Sequence, residues 1–336
     1  MLSAVAQCVL SLTKVLPMVN SDYQAPFLFR NGHVHTICST VFRKVNDVSY
    51  RRERIDTADQ DFLDLDWSTV GGDSLAIISH GLEGDSRRPY VKGMVRAMNR
   101  AGIDALAWNF RGCSGETNRL LGLYHNGSID DLHAVVCHAA PAYKRIFLIG
   151  FSMGGNMGLL YLGKLAKAVP RQVQGSISFS VPCDLTDASV ALARKENTLY
   201  MKRFLLLLHQ KIKIKKAHFP RQIDDHGYHR LKSFKDFDGR YTAPIHGFAS
   251  AEDYWQQCSC RPWLSRIRVP SLIVNALDDP FLAGGCYPVE ECAGSPHVRL
   301  EITRYGGHVG FMARNGAPNY WSEERALAFI RQLEER

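Results

Sequence analysis

An α/β fold is what the 336-residue sequence predicts: a mostly parallel central sheet with helices on both faces and an inserted helical cap. Three observations predict it. In the first half, short apolar runs alternate with amphipathic stretches, the rhythm of βα units whose strands are buried on both faces. One such run, 145–150, leads through Gly150-Phe151-Ser152-Met153-Gly154 straight into a second apolar stretch that reads as helix. After Pro182 the rhythm lapses until 271, an interval far too long for a plain loop.

The elements follow in order. Residues 1–25 read as an N-terminal helical extension, because Leu2, Val5, Val9, Leu12 and Leu16 share one helical face within 2–19. Gln7, Ser11, Thr13 and Lys14 interrupt that run, and no basic segment precedes it, which argues against a membrane span. Packing on the domain is expected, with a membrane-surface anchor as the alternative. Residues 26–336 form the main domain. Within it, 48–55 and 62–67 read as a hairpin turning at Ala58-Asp59-Gln60-Asp61. Strands at 75–79, 104–110, 145–150 and 176–181 alternate with helices at 94–100, 129–140 and 153–167. The cap is expected at about 182–269, with helix at 200–209 (YMKRFLLLLH) and 253–258. Strands at 271–277 and 298–303 and a closing helix at 321–333 resume the core. There are no internal repeats or low-complexity linkers, so one domain with a cap is preferred to two domains.

Hydrophobic content of 46% and charged content of 22% suit a globular protein with a buried sheet. Forty-one Lys and Arg against 33 Asp and Glu leave a net charge of +8, too mild to imply a nucleic-acid partner. The excess gathers at Lys211, Lys213, Lys215, Lys216 and Arg221. A solvated helix face is expected there, with contact to an anionic lipid surface as the alternative. The 9 cysteines are scattered and form no C-x-x-C pair, which points to thiols in a reducing compartment and no zinc site. The expected location is cytoplasmic, with peripheral membrane contact left open. His33 and His35 would face the same way on a strand, but no carboxylate or cysteine spacing completes a site. A structural use is expected for them, and no metal or other cofactor.

The run at 150–154 has a physical logic. A strand that must become a helix within one residue puts Ser152 at a strained backbone position, and the flanking glycines allow close backbone approach. A serine hydroxyl is a poor nucleophile until a base takes its proton, so an imidazole and an orienting carboxylate are required. His308 follows the strand 298–303 within the glycine-rich Gly306-Gly307-His308-Val309-Gly310, and Asp278 and Asp279 end the strand at 271–277. Asp279 precedes Pro280 and is favoured as the acid, with Asp278 bracing the loop. An oxyanion would need two backbone N–H donors, expected from Met153 and from Leu82 in His80-Gly81-Leu82-Glu83-Gly84. His80 is expected to brace that loop. Arg111-Gly112-Cys113-Ser114-Gly115 lacks the Lys-Ser/Thr ending of a phosphate loop and reads as a rim loop. The stretch 205–208 either lines an acyl tunnel or packs inward.

With these motifs in place, the chain resembles the YheT-like group of α/β-hydrolases, which includes yeast medium-chain fatty-acid ethyl ester synthase/esterases and mammalian abhydrolase-domain phospholipases. The resemblance runs over nearly the whole chain after about Pro26. It rests on NGHVHT at 31–36, HGLEG at 80–84, FRGCSG at 110–115, YHNG at 124–127 and GFSMGGN at 150–156. It continues through HGF at 246–248, AEDYW at 251–255, NALDDPF at 275–281 and GGHVGF at 306–311. It implies a serine hydrolase of short- to medium-chain acyl esters or lipids, with Ser152, His308 and Asp279 as its triad and a small-molecule ester as its partner. Two alternatives stand beside it: an acyltransferase passing the acyl group to an alcohol, and a non-catalytic acyl-ligand binding protein. Haloalkane and epoxide chemistry is disfavoured, since those hydrolases carry Asp where this chain has Ser152.

Overall fold

A computed structural model describes residues 18–312 and 319–335. The helix expected at 2–19 lies outside the described residues up to position 17. Its last residues differ from expectation: Met18–Asn20 is a strand, β1, pairing parallel with residues 300–302. An unpaired sheet edge accepts any extended backbone, whatever the helical pattern of the residues before it.

Nine strands form one sheet in the order β1-β9-β8-β7-β6-β4-β5-β3-β2. β2 (Arg51–Asp56) and β3 (Phe62–Ser68) are the antiparallel hairpin, and β3 lies antiparallel to β5 (Asp104–Asn109). β4 (Ser74–Ser79), β5, β6 (Arg145–Phe151), β7 (Val173–Phe179), β8 (Ser271–Ala276) and β9 (Val298–Thr303) run parallel. The central strands are buried along almost their whole length, as a sheet covered on both faces requires. The edge strand β2 alternates exposed and half-buried residues instead, and Arg52 and Arg54 form bidentate pairs with Asp66 and Asp64 of β3. Charges on an edge discourage further strand pairing.

Helices follow the strands. α1 (Gly32–Val41) precedes the sheet's main run, and α2 (Pro89–Arg100), α3 (Ile129–Ala139) and α4 (Met153–Leu165) connect β4, β5, β6 and β7. Two apolar cores flank the sheet. One packs Leu132, Val136, Met157 and Leu160 of α3 and α4 against it, and the other packs Val91, Met94 and Met98 of α2 with Leu327 and Ile330 of the last helix.

Between β7 and β8 the chain carries α5 (Leu185–Leu192), α6 (Thr198–His218), α7 (Phe234–Phe237), α8 (Ala243–His246) and α9 (Ala251–Cys258), and no strand. α7 and α8 are joined by a π-turn at Asp238–Thr242. This insertion has an apolar core of its own, built from Met201, Leu205, Leu208, Ile212, Tyr228 and Phe237. α10 (Val289–Ala293) and α11 (Trp321–Glu334) complete the chain.

The basic run in α6 departs from the expected solvated face. Lys215 is 1% exposed, and its ammonium donates to the Asn118 carbonyl at 2.9 Å and to that of Leu120. Lys211 donates to the Gly112 carbonyl at 2.5 Å and lies 3.0 Å from Cys113 Sγ. Lys211 also lies 3.7 Å from Glu83 Oε1, while main-chain carbonyls satisfy the buried ammonium of Lys215. Burial still lowers the Lys215 pKa, to about 8. Lys213 does face solvent. The 110–115 loop accordingly grips α6 rather than lining the cavity described below, and Arg111 closes it with ion pairs to Asp59 and Asp131.

Candidate active site

Ser152 stands between β6 and α4 with φ 53° and ψ −119°, the left-handed region that a side chain enters only under constraint. The constraint is visible. Its N–H donates to Phe179 O at 2.8 Å, and Gly155 and Asn156 donate back to its carbonyl. The glycines are needed because backbones touch here. A Cβ on Gly154 would stand 2.4 Å from Ser79 O and 2.5 Å from His80 O, and one on Gly150 would stand 2.5 Å from Gly155 Cα. Gly154→Ala is therefore expected to cost about 3 kcal/mol or more, since main-chain atoms cannot step aside. Urea unfolding or loss of soluble expression would register it.

The structure brings Ser152, His308 and Asp279 together. His308 Nε2 lies 2.9 Å from Ser152 Oγ, and His308 Nδ1 lies 2.8 Å and 3.1 Å from the two Asp279 oxygens. With a carboxylate accepting at Nδ1, that nitrogen carries the proton and the Nε2 lone pair faces the hydroxyl. The Asp279 side chain is fully buried and that of His308 nearly so. Asp278 points elsewhere: its Oδ1 accepts from Gly307 N at 2.9 Å, and its Oδ2 is buried without a partner among the described residues. Burial, with repulsion from Asp279, raises its carboxyl to about 6.

The loop that carries His308 is bent through a series of left-handed residues, Gly306, Gly307, Val309 and Phe311. α1 holds it from below. Thr36 Oγ1 accepts from His308 N at 2.8 Å, and His35 Nε2 accepts from Met312 N at 3.1 Å. The segment is a helix, so the strand on which His33 and His35 would face the same way does not form. Asn31 caps a helix there, accepting from His33 N and Val34 N, so His33 and His35 point apart. His35 is buried and its pKa is lowered by desolvation to about 4, while His33 Nδ1 meets Tyr200 OH at 3.3 Å. Among the described residues, no group of three or more His, Cys, Asp or Glu could hold a metal ion.

The 80–84 loop lies against the serine. A Cβ on Gly81 would be 3.3 Å from Ser152 Cβ. Glu83 at φ 53° and a Gly84 N to Gly81 O bond of 2.9 Å make a tight turn, with Leu82 at its corner. Among the described residues, neither Leu82 N nor Met153 N donates a hydrogen bond, and both residues line the cavity over Ser152. His80 is spent on the backbone. Its Nδ1 meets Gly81 O at 2.8 Å, its Nε2 accepts from Phe110 N at 3.2 Å, and desolvation lowers its pKa to about 3. It braces the turn and has no free nitrogen for a substrate.

Several supports were not legible in the sequence. Tyr90 OH accepts from Gly81 N at 3.0 Å, and Tyr124 OH accepts from Glu83 N at 2.9 Å while donating to Glu83 Oε1 at 2.6 Å. Ser180 Oγ accepts from Val309 N at 2.9 Å. Tyr124 stands in the YHNG motif, the one signal that could have marked it. Ser180 carries no local signal.

A cavity of about 560 Å³ opens over Ser152 and His308, a size ordinary for small-molecule sites. Its walls are mainly apolar, with Leu185, Leu192, Phe204, Leu207 and Ile245 of the insertion and Phe281 of the loop after β8 prominent. Of the stretch 205–208, Leu207 and Leu208 reach the cavity, Leu205 packs in the insertion's core, and Leu206 points to solvent.

The comparisons agree with this fold. The alpha/beta hydrolase fold family model matches residues 77–314. YheT of Escherichia coli is 34% identical over 88% of this chain and 89% of its own length. Human phospholipase ABHD3 is 30% identical over 88% of this chain and 75% of its length. Among solved structures, the Pyrococcus furiosus esterase PF2001 superposes with a TM-score of 0.59 at 17% identity, covering 95% of this chain and 98% of that one. An elbow serine on a mostly parallel sheet, a helical insertion above it and a relative matched nearly end to end lead to one conclusion: the chain belongs to the α/β-hydrolase family, in its YheT-like group.

Proposed function

We propose that this ester hydrolase works by acyl transfer through Ser152, with His308 as general base and then general acid and Asp279 as the group that orients it. The observation that carries the reading is the unbroken chain Ser152 Oγ, His308 Nε2, His308 Nδ1, Asp279 Oδ2, with steps of 2.9 and 2.8 Å, at the floor of an apolar cavity. Ser152 Oγ attacks the ester carbonyl as His308 takes its proton. The resulting oxyanion is held by the unengaged amides of Leu82 and Met153, and the imidazolium returns the proton to the leaving alcohol. Water repeats the sequence on the acyl-enzyme and releases the acid.

The substrate class follows from the walls. Aliphatic and aromatic side chains reward an acyl chain of short to medium length, since burying each methylene is worth about 0.8 kcal/mol. The family's names, phospholipase among them, are consistent with lipid esters. The insertion acts as a cap, keeping water from the acyl group except at the mouth. A fluorophosphonate should add to Ser152 and to no other serine, seen by mass spectrometry of the peptide, and abolish turnover of p-nitrophenyl octanoate. Full turnover after stoichiometric labelling, or an adduct elsewhere, would refute the assignment.

A further inference from the structure

The outward face of α6 has a composition that packing does not explain. Its inward stripe, Met201, Leu205, Leu208 and Ile212, forms the core of the insertion. On the opposite side, Leu199, Leu206 and Ile214 are exposed, by 71%, 61% and 46%. They alternate with the exposed cations Lys202, Arg203 and Lys213, and the 21 residues of the helix contain no Asp or Glu. Beside it stands α1, joined through the stacked rings of His33 and Tyr200, 5.7 Å between centroids. α1 bears no charged residue and exposes Ile37 and Val41, with Phe42 following at 73%. The two helices flank the mouth of the cavity, for Ile37, Val41, Leu199 and Arg203 are both exposed and part of its lining.

We infer that this α1–α6 face docks on an anionic lipid bilayer, with the cavity mouth set against the headgroup layer. Large apolar side chains interleaved with cations are the composition of a helix lying in a membrane interface. Lysines and arginines next to a negatively charged leaflet are attracted to it, and the apolar residues between them enter the acyl boundary. A second copy of the chain fits this face poorly, because a two-fold contact would set two helix pairs that carry cations and no Asp or Glu against each other. No helix among the described residues is long and apolar enough to cross a membrane, so the contact is peripheral. The docking is independent of the serine chemistry. Only its purpose, delivery of lipid esters to Ser152, rests on the function proposed above.

The test is flotation of the full chain with vesicles of phosphatidylcholine alone and of phosphatidylcholine with 30% phosphatidylglycerol. At least tenfold more protein should float with the anionic vesicles, and the difference should shrink at high salt. Phe42→Glu with Leu206→Glu should abolish flotation, and Lys202→Glu with Lys213→Glu should remove the preference for phosphatidylglycerol. None of these four residues lines the cavity, so turnover of soluble p-nitrophenyl butyrate should stay within twofold and report an intact fold. Ser152→Ala should float like the parent protein, which separates docking from catalysis. No flotation with either vesicle, or flotation unaffected by both pairs of changes, would overturn the proposal. So would a dimer in solution that Leu206→Glu dissociates while vesicles capture nothing, since that outcome gives the face to a second copy.

Discussion

Ser152→Ala should lower turnover of p-nitrophenyl octanoate by roughly four to six orders of magnitude, the usual cost of removing the nucleophile from such a unit. Any residual rate would come from the cavity and the two amides, which still bind the substrate and polarise its carbonyl. The protein itself should survive. Alanine keeps the same Cβ, so the strained φ of 53° is unchanged, and the Ser152 N to Phe179 O bond involves only backbone. One hydrogen bond to His308 is lost. A melting temperature within a few degrees of the parent, with activity gone, is the expected pair of results. Parent-like turnover in a folded Ser152→Ala protein would end the proposal.

The adjacent carboxylates offer the second large effect, because they should separate cleanly. Asp279→Asn puts an amide where His308 Nδ1–H now finds an acceptor, favouring the wrong tautomer and costing about 10⁴ in kcat. Asp278→Asn should leave kcat within about tenfold, since an amide oxygen can still accept from Gly307 N. Its signature is in stability. The Asp278 carboxyl is raised from 3.8 to about 6, so the folded state holds a proton that the unfolded chain releases. Between those values the folded form binds more protons, and this group's contribution to stability falls as pH rises. Above pH 6 the whole cost of the buried carboxylate is felt. Asp278→Asn should therefore gain up to about 3 kcal/mol over the parent at pH 8, by urea unfolding, and lose that advantage towards pH 4. Equal activity losses in the two variants would show that the roles had been divided wrongly.

The sequence revealed most where chemistry and backbone are written locally. A strand, a G-x-S-x-G turn and a helix are contiguous between 145 and 165, so Ser152 could be placed without tertiary information. His308 stood out through its glycines, which the structure uses for left-handed turns against α1. α1 was not legible as a helix, because its helical period is inverted. Val34, Ile37 and Val41 face solvent, while His35, Thr36 and Ser39 are buried, so apolar spacing pointed to the wrong side. Lys211 and Lys215 were equally opaque. A lysine whose partners are carbonyls about a hundred positions away looks the same in sequence as one in water. Ser180 and Thr36 hold the His308 loop through single hydroxyls, and nothing nearby in the chain announces that use.

The two inward lysines also bear on how this fold can be recombined. Because the ammonium groups of α6 are seated in carbonyls of Gly112, Asn118 and Leu120, the helix and the 112–120 segment are inherited as lock and key. A chimera that borrowed the insertion from a cousin without that segment would strand the Lys215 cation, leave Lys211 with Glu83 alone, or leave three carbonyls bare. Grafting both pieces together is the route by which a new ceiling could be fitted over the same floor.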